Sequence, residues 1–400
     1  MSELIELKEY DQREATLTSE EHHILTTEFS SRVHVEEIAK DRYLVKSRQY
    51  VGNIVLPKHT IVIRPKIPNL NFFLMLAYAS DLMELGEEEF LYAKDRDIFE
   101  LILNVFLARV DKLVKRGLSK GYIEDDDNLR HIRGRVLVTQ ELRNNPITHE
   151  KIFCRYADFN VDTPENRILR YVLLRLSQMK VKDTQLNRSS KALFRYFDSV
   201  SLRYLSASTM PRVPINRLNQ HYLPALRLAK LILENSTVNL QQTGDTAFSS
   251  FLVDMNRLFE KFLLLYLRTK LKDYVVKGAS RLGGPYALDE KREWRRNPDI
   301  VIKRRGKPIL VMDAKYKILG IGDKEDIDAD VDQVLIYTLP PITDAPTGIL
   351  VYPKCEGSTI GNSEPRKIME TGKSIAIRVV DLTKSTREEF YGAVSYTHLT

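Results

Sequence analysis

The sequence predicts a multidomain α/β protein. A β-containing N-terminal domain is expected over 1–95, an α-rich middle region over 96–245 and an α/β core over 246–394. Three observations carry that expectation. Between Tyr43 and Ile67 apolar and polar residues alternate, punctuated by Gly52, Pro57 and Pro65, as in short strands joined by turns. From Asp97 to Leu233 amphipathic helical periodicity dominates. Beyond Phe251 the order is helix, two apolar runs across a Gly turn, helix and strand. With 400 residues and 43% hydrophobic content, the chain can bury sizeable cores.

Taken in order, Thr18 with Glu20 and Glu21 signals a helix start, and the helix is expected to reach about Lys40. His22-His23 reads as its solvated face. YLVKSRQYVGNIVLP and HTIVIRPKI follow as strands, and Leu70–Leu85 as a helix capping them. This first domain holds no catalytic constellation. Asp97–Arg116 is an amphipathic helix with a basic end. Glu124-Asp125-Asp126-Asp127 lacks the Gly-spaced ligands of an EF-hand and reads as a solvated loop. His131-Ile132-Arg133-Gly134-Arg135 either holds a phosphate or acidic partner or is a loop leading to a Val136–Val138 strand. Asp162-Thr163-Pro164-Glu165 opens a helix to about Lys180. Lys191–Leu205, Val213–His221 and Leu223–Leu233 complete the helical section, and Asn235–Asp245 is the linker candidate.

The C-terminal part carries the chemistry. Phe251–Lys272 has a helical apolar stripe with Glu260 beside it. Ile300–Ile302 and Ile309–Met312 flank Arg304-Arg305-Gly306-Lys307, the pattern of an antiparallel hairpin. Centred near Gly306, the hairpin places Asp299 and Asp313 opposite one another, with Lys315 on the same face as Asp313. Two facing carboxylates repel unless a cation lies between them, and Mg²⁺ takes such oxygens alongside phosphate. The alternative is a pair of strand-end ion pairs, Asp299–Lys315 and Asp313–Lys317. A second helix, Asp328–Leu339, sets Gln333 and Tyr337 four apart on one face. Lys291–Arg296, including Arg295 and Arg296, and the turn with Arg304 and Arg305 offer phosphate contacts. Trp294 either stacks on DNA or packs at a strand start.

Pro298-Asp299, then Asp313-Ala314-Lys315, resembles the PD-(D/E)xK nuclease motif. Gln333 and Tyr337 resemble the Q-x-x-x-Y helix of its RecB-like members. Asn256–Lys261, Arg296–Ile300 and Met312–Lys317 narrow the likeness to McrC, the nuclease subunit of McrBC-type modification-dependent restriction systems. Tyr50-Val51-Gly52, Ile63–Ile67, Ile132–Arg135 and Asp162–Arg167 extend it over about residues 45–355. That resemblance implies a restriction-endonuclease-like core in which Asp299, Asp313, the Ala314 carbonyl and, as an added ligand, Glu260 hold Mg²⁺. It implies that Lys315 handles the attacking water while Gln333 and Tyr337 support the site or touch the DNA. It also implies an McrB-like AAA+ GTPase hexamer as partner, whose GTP hydrolysis this chain stimulates through its N-terminal part. The substrate implied is double-stranded DNA carrying modified cytosine.

Thr371-Gly372-Lys373-Ser374 mimics the end of a phosphate loop, but Lys367 stands where its first Gly belongs, and Ile375–Val380 alternates like a strand. GTP is therefore expected on the partner, not on this chain. Two cysteines, Cys154 and Cys355, make neither a disulfide framework nor a zinc pattern. Without a signal-peptide pattern or an apolar run near the roughly 20 residues that span a bilayer, a cytoplasmic protein is expected. Net charge of +7 leans towards a polyanionic partner. Ser395–Thr400 does not read as a continuation of the fold. Two rival functions stay open: a catalytically silent adaptor that activates an AAA+ motor, and a stand-alone DNA repair nuclease.

Overall fold

The computed structural model describes residues 3–82, 98–147, 150–178, 184–239, 248–278, 286–287, 291, 293, 295–317, 324–340, 342–354 and 361–383. The chain forms two compact units, Met1–Leu101 with Ser250–Thr400, and Ile102–Ser249. The stretches expected as separate first and last domains thus lie in one unit. Gly244, Trp294, Cys355 and residues 395–400 are outside the described residues.

In the first unit the chain opens with β1 (Glu3–Lys8) and β2 (Gln12–Thr16), strands hidden in sequence by their charge. Helix α1 (Ser19–Thr27) starts where expected: Thr18 accepts from the Glu21 N–H while the Glu21 carboxylate reaches back to Thr18. It ends at Thr27 rather than near Lys40, because VHVEEIA forms β3 (Val33–Ala39) against β4 (Arg42–Ser47). β5 (Tyr50–Val55) and β6 (His59–Arg64) form a hairpin, and β1 lies parallel beside β6. Ile5, Leu7, Leu25, Phe29, Val45, Ile54 and Ile61 fill the core between these elements. Helix α2 (Asn69–Ala79) follows, ending short of the expected Leu85.

The second unit begins in α3 (Ile98–Arg116). Glu124–Asp127 is not a loop but part of β7 (Gly121–Leu129), which pairs along its length with β9 (Ile152–Asn160). β8 (Arg135–Val136) lines the other edge of β9, and Val138 already belongs to α4 (Val138–Asn144). The α-rich region therefore contains a sheet, with Tyr122 and Phe159 paired on its exposed surface. Helix α5 (Pro164–Gln178) opens as predicted. Asp162 accepts two bonds from the Arg167 guanidinium and two from Ser201. Burial alone would raise its carboxyl, but those partners hold it down to about 2. Asn166 bonds the Ser119 and Val161 carbonyls and accepts from Tyr222. The Asp162–Arg167 motif is thus a structural knot. Helix α6 (Thr184–Arg195) ends ten residues short of the predicted Leu205, and Val213–His221 is irregular apart from a single turn, Gln220–Tyr222. Helix α7 (Leu223–Asn235) and β10 (Ser236–Asn239) complete the unit.

The chain returns to the first unit as β11 (Phe248–Asp254), antiparallel to β5. Sequence periodicity runs the next helix from Phe251, but Phe251–Asp254 is strand, and Asp254 caps α8 (Met255–Lys270) by accepting from Asn256 and Arg257 N–H. Gly52 permits this pairing. Its φ is +137°, and a Cβ there would meet the Phe251 carbonyl oxygen at 2.0 Å. β12 (Val275–Gly278), the short ladder β13 (Tyr286–Ala287) with β14 (Arg295–Arg296), β15 (Ile300–Arg304) and β16 (Lys307–Ala314) follow. After α9 (Lys324–Thr338) come β17 (Thr347–Lys354), β18 (Arg366–Lys367) and β19 (Ser374–Asp381). The main sheet has the order β12-β15-β16-β17-β19-β18, antiparallel on one side and parallel from β16 to β19. α9 packs on it through Val334 and Tyr337 against Val301, Val311, Leu350 and Tyr352. Lys373-Ser374 runs straight into β19, so the phosphate-loop mimic leads to a strand as expected. Among the described residues no helix is long and apolar enough to cross a membrane.

Candidate active site

The β15–β16 hairpin turns through Arg305 and Gly306, both with positive φ (51° and 82°), the backbone of the tightest hairpin turns. Arg304 faces Lys307 and Lys303 faces Pro308, yet Ile302 faces Leu310. Ile309 is therefore an extra residue, a bulge beside a proline that has no N–H to give the ladder. The shift carries on to Ile300 opposite Met312. The next positions outward are Asp299 and Asp313. Without the bulge, Asp299 would face Met312 and the two carboxylates would lie on opposite faces.

Asp299 Oδ2 accepts a 2.9 Å bond from the Ala314 N–H, which ties the start of one strand to the end of the other. Asp313 is 1% exposed. Its Oδ2 lies 2.7 Å from Lys315 Nζ and has no other donor among the described residues. Lys315 is held from three sides. Its backbone N–H bonds the Val351 carbonyl of β17, and its ammonium bonds Asp313 and, at 2.9 Å, Gln333 Oε1. Gln333 in turn donates to the Tyr337 hydroxyl. The α9 face predicted from sequence thus acts on the lysine. Tyr337 is 3% exposed, and its hydroxyl meets Gln333.

Burial pushes the Asp299 carboxyl up to about 8, and the nearby charges of Asp313 and Glu260 add to the rise. Glu260 is raised by burial, with Arg257 offsetting part and Asp313 and Asp254 adding to it. Burial pulls the Lys315 ammonium down, but the Asp313 carboxylate outweighs that and holds it above the usual lysine range. Ionising Asp299 beside Asp313 would put more negative charge in the site than one ammonium balances.

Neither ion pair of the alternative sequence reading, Asp299–Lys315 or Asp313–Lys317, is the one that forms. Lys315 pairs with Asp313, whereas Lys317 pairs with Asp330, at 3.0 and 3.1 Å to its two oxygens. Asp330 is buried and also accepts from Tyr352, whose hydroxyl is raised by burial and by that carboxylate. Sequence reasoning missed Asp330, although it lies three residues before Gln333 on the same helical face. Arg304 and Arg305 are exposed at the hairpin tip, with Arg304 over the Tyr274 ring. Arg304 lies five positions along the strand from Asp299, about 17 Å. The tip is therefore not beside the acid pair. Arg296 is exposed, and only the backbone of Arg295 is described.

Glu260 senses Asp313 but does not complete a ligand triad. Among the described residues no three His, Cys, Asp or Glu side chains sit together in metal-holding geometry. Two facing carboxyls that are costly to ionise together still fit a hard cation that uses one or two carboxylates and fills its remaining positions with water.

A family model described as McrBC 5-methylcytosine restriction system component matches residues 45–353. The Type IV methyl-directed restriction enzyme EcoKMcrBC of Escherichia coli (strain K12) is 25% identical over 265 residues, 63% of this chain and 74% of the relative. A chain in the refined half-complex of the tetradecameric assembly of Thermococcus gammatolerans McrB AAA+ hexamers with bound McrC shares the fold. Its TM-score is 0.63 at 19% identity, over 98% of this chain and 99% of that one. A cryo-EM structure of the Thermococcus gammatolerans McrBC complex gives a TM-score of 0.45 at 21% identity, over 67% and 88% of the two chains.

Proposed function

The chain belongs to the McrBC 5-methylcytosine restriction system component family, and from that premise we propose that it is the McrC-type nuclease subunit. In this reading it hydrolyses phosphodiester bonds of DNA with Mg²⁺, in the cytoplasm, as part of a complex with an McrB-like AAA+ GTPase whose hydrolysis it stimulates. The observation that carries the reading is Asp299 set opposite Asp313 by the bulged hairpin, with Lys315 bonded to both Asp313 and Gln333.

Asp299 and Asp313, with the Ala314 carbonyl, would hold the ion. Bound there, Mg²⁺ supplies charge stabilisation for the phosphodiester oxygens and a more acidic water. The chain's own residues do the rest. Lys315 stays an ammonium at neutral pH because of Asp313, so it has no lone pair with which to act as a base. It donates hydrogen bonds instead, orienting the attacking water and offsetting charge on the phosphate. Gln333 and Tyr337 fix that ammonium; α9 thereby sets the distance between lysine and acid pair. By the family resemblance, selection of methylated sites is assigned to the partner.

The test is plasmid cleavage with Mg²⁺ on unmethylated and cytosine-methylated DNA, comparing the chain with its Lys315→Ala variant, with and without the McrB-type GTPase and GTP. Cutting of methylated DNA that requires partner, GTP and Lys315 is the expected result. Cutting by the chain alone, indifferent to GTP, would make it a free-standing nuclease. GTPase stimulation without cutting would leave an adaptor.

A further inference from the structure

Lys315 is fixed from its own sheet and from α9, but the next residue reaches elsewhere. Tyr316 is 3% exposed, its ring 5.8 Å from that of Phe259 on α8. Its hydroxyl donates at 3.3 Å to Glu9 Oε1, a residue 307 positions earlier at the corner between β1 and β2. Glu9 is fully buried. Oε1 also accepts from the Lys66 N–H at 2.9 Å, and the Glu9 N–H bonds the Arg64 carbonyl. Its other oxygen, Oε2, has no hydrogen-bond partner among the described residues. A buried carboxyl with half its capacity unused carries an uncompensated desolvation cost. Packing alone would favour an apolar side chain at that corner.

We infer that Glu9 is a positioning residue for Lys315: it holds Tyr316, so the N-terminal sheet takes part in setting the lysine at the acid pair. The chain runs directly from Lys315 to Tyr316, and Lys317 N–H bonds back to the Lys315 carbonyl. The Lys315–Lys317 turn is thus anchored at three points: Asp313 and Gln333 at Lys315, Glu9 at Tyr316, and Asp330 at Lys317. Of these, only Glu9 comes from outside the main sheet and α9. Loss of the Glu9 anchor frees the turn on one side and spreads the lysine over more positions, which lowers turnover while leaving DNA binding untouched. This inference rests on the nuclease reading.

The experiment uses the full chain reconstituted with its McrB-type GTPase, GTP and Mg²⁺, and a double-mutant cycle of Glu9→Ala and Tyr316→Phe. Each single variant is expected to lower kcat about tenfold, and the double variant no further than the worse single one. DNA affinity measured in Ca²⁺ stays unchanged. Glu9→Gln, whose amide oxygen still accepts from Tyr316 and Lys66, recovers most of the rate. In the metal-free chain, amide exchange over residues 314–317 quickens for Glu9→Ala and not over 300–304. Multiplicative effects of the two substitutions, an equal loss with Glu9→Gln, or unchanged exchange over 314–317 would overturn the inference. Lys315→Ala separates the two levels. If it is inactive while Glu9→Ala cuts like the parent, only the positioning role fails. If it cuts like the parent, the nuclease reading fails and the positioning role with it.

Discussion

The chain carries two concentrations of acid, and they have opposite fates. Glu124–Asp127 lies on β7 of the second unit, where Glu124, Asp125 and Asp127 face solvent. Asp126 there forms a two-pronged pair with Arg155, and that guanidinium holds its carboxyl below the usual range. Asp299 and Asp313 lie at the end of a hairpin in the first unit, where burial and mutual repulsion push Asp299 up to about 8. Four acids in a row look the more impressive ligand set in sequence. The first cluster is open to solvent and Asp126 already has its arginine; the second, once ionised, would carry more negative charge than its one ammonium cancels. What a carboxylate does follows from what its surroundings withhold.

The sharpest way to break that comparison is to remove the lysine. Lys315→Ala should lower kcat by about 10²–10³-fold, whereas Asp126→Asn leaves cleavage by the assembled complex at the parental rate. Asp299→Asn should be equally inactive and, unusually, more heat-stable. Its folded-state carboxyl is raised from 3.8 to about 8, so the fold loses stability as pH rises through that interval, and an amide does not. Melting at pH 5 and pH 9 should show the variant pulling ahead of the parent at the higher pH. Mg²⁺ should raise the melting temperature of the parent at pH 9 and not that of Asp299→Asn.

Smaller effects test the second unit. Asp162, held down to about 2 by Arg167 and Ser201, lends stability that is present above its ordinary value of 3.8 and fades as pH falls towards 2. Asp162→Asn should cost about 1–3 kcal/mol at pH 7 in chemical denaturation, with no direct effect on the chemical step. Asp126→Asn should leave the denaturation midpoint where it was, since exposed pairs contribute little. A large loss from Asp126→Asn would erase the contrast between the two clusters.

The site was more legible than the fold around it. Apolar runs, a Gly turn and the spacing of Asp299, Asp313 and Lys315 revealed the hairpin, and the four-residue spacing of Gln333 and Tyr337 placed them on one helical face. The facing of the two aspartates followed from centring the hairpin on Gly306. The chain reaches that register another way, with a turn at Arg305-Gly306 and one extra residue at Ile309. No periodicity announces a bulge; Pro308 was its only mark. Long-range pairing was equally silent. Phe251–Asp254 fits a helical stripe and is a strand because β5 waits 200 positions earlier. The polar β7 residues pair with β9 and so form a strand despite a composition that reads as loop. Glu9 carried no signal at all, since a single acid near a charged N-terminus is distinguished only by what folds over it.

One consequence follows from the first unit being built from both ends of the chain. Phe251–Asp254 pairs with β5 in a sheet begun by the N-terminal strands, with all of Ile102–Ser249 synthesised in between. Contacts this distant in sequence form slowly and cannot form while the later partner is still missing. At about 5–20 residues per second, the early strands wait many seconds on the ribosome before β11 emerges, and longer for Lys315. A chain interrupted before β11 therefore has neither the acid pair nor the completed sheet. On the nuclease reading proposed above, chain order keeps a half-made chain from cutting.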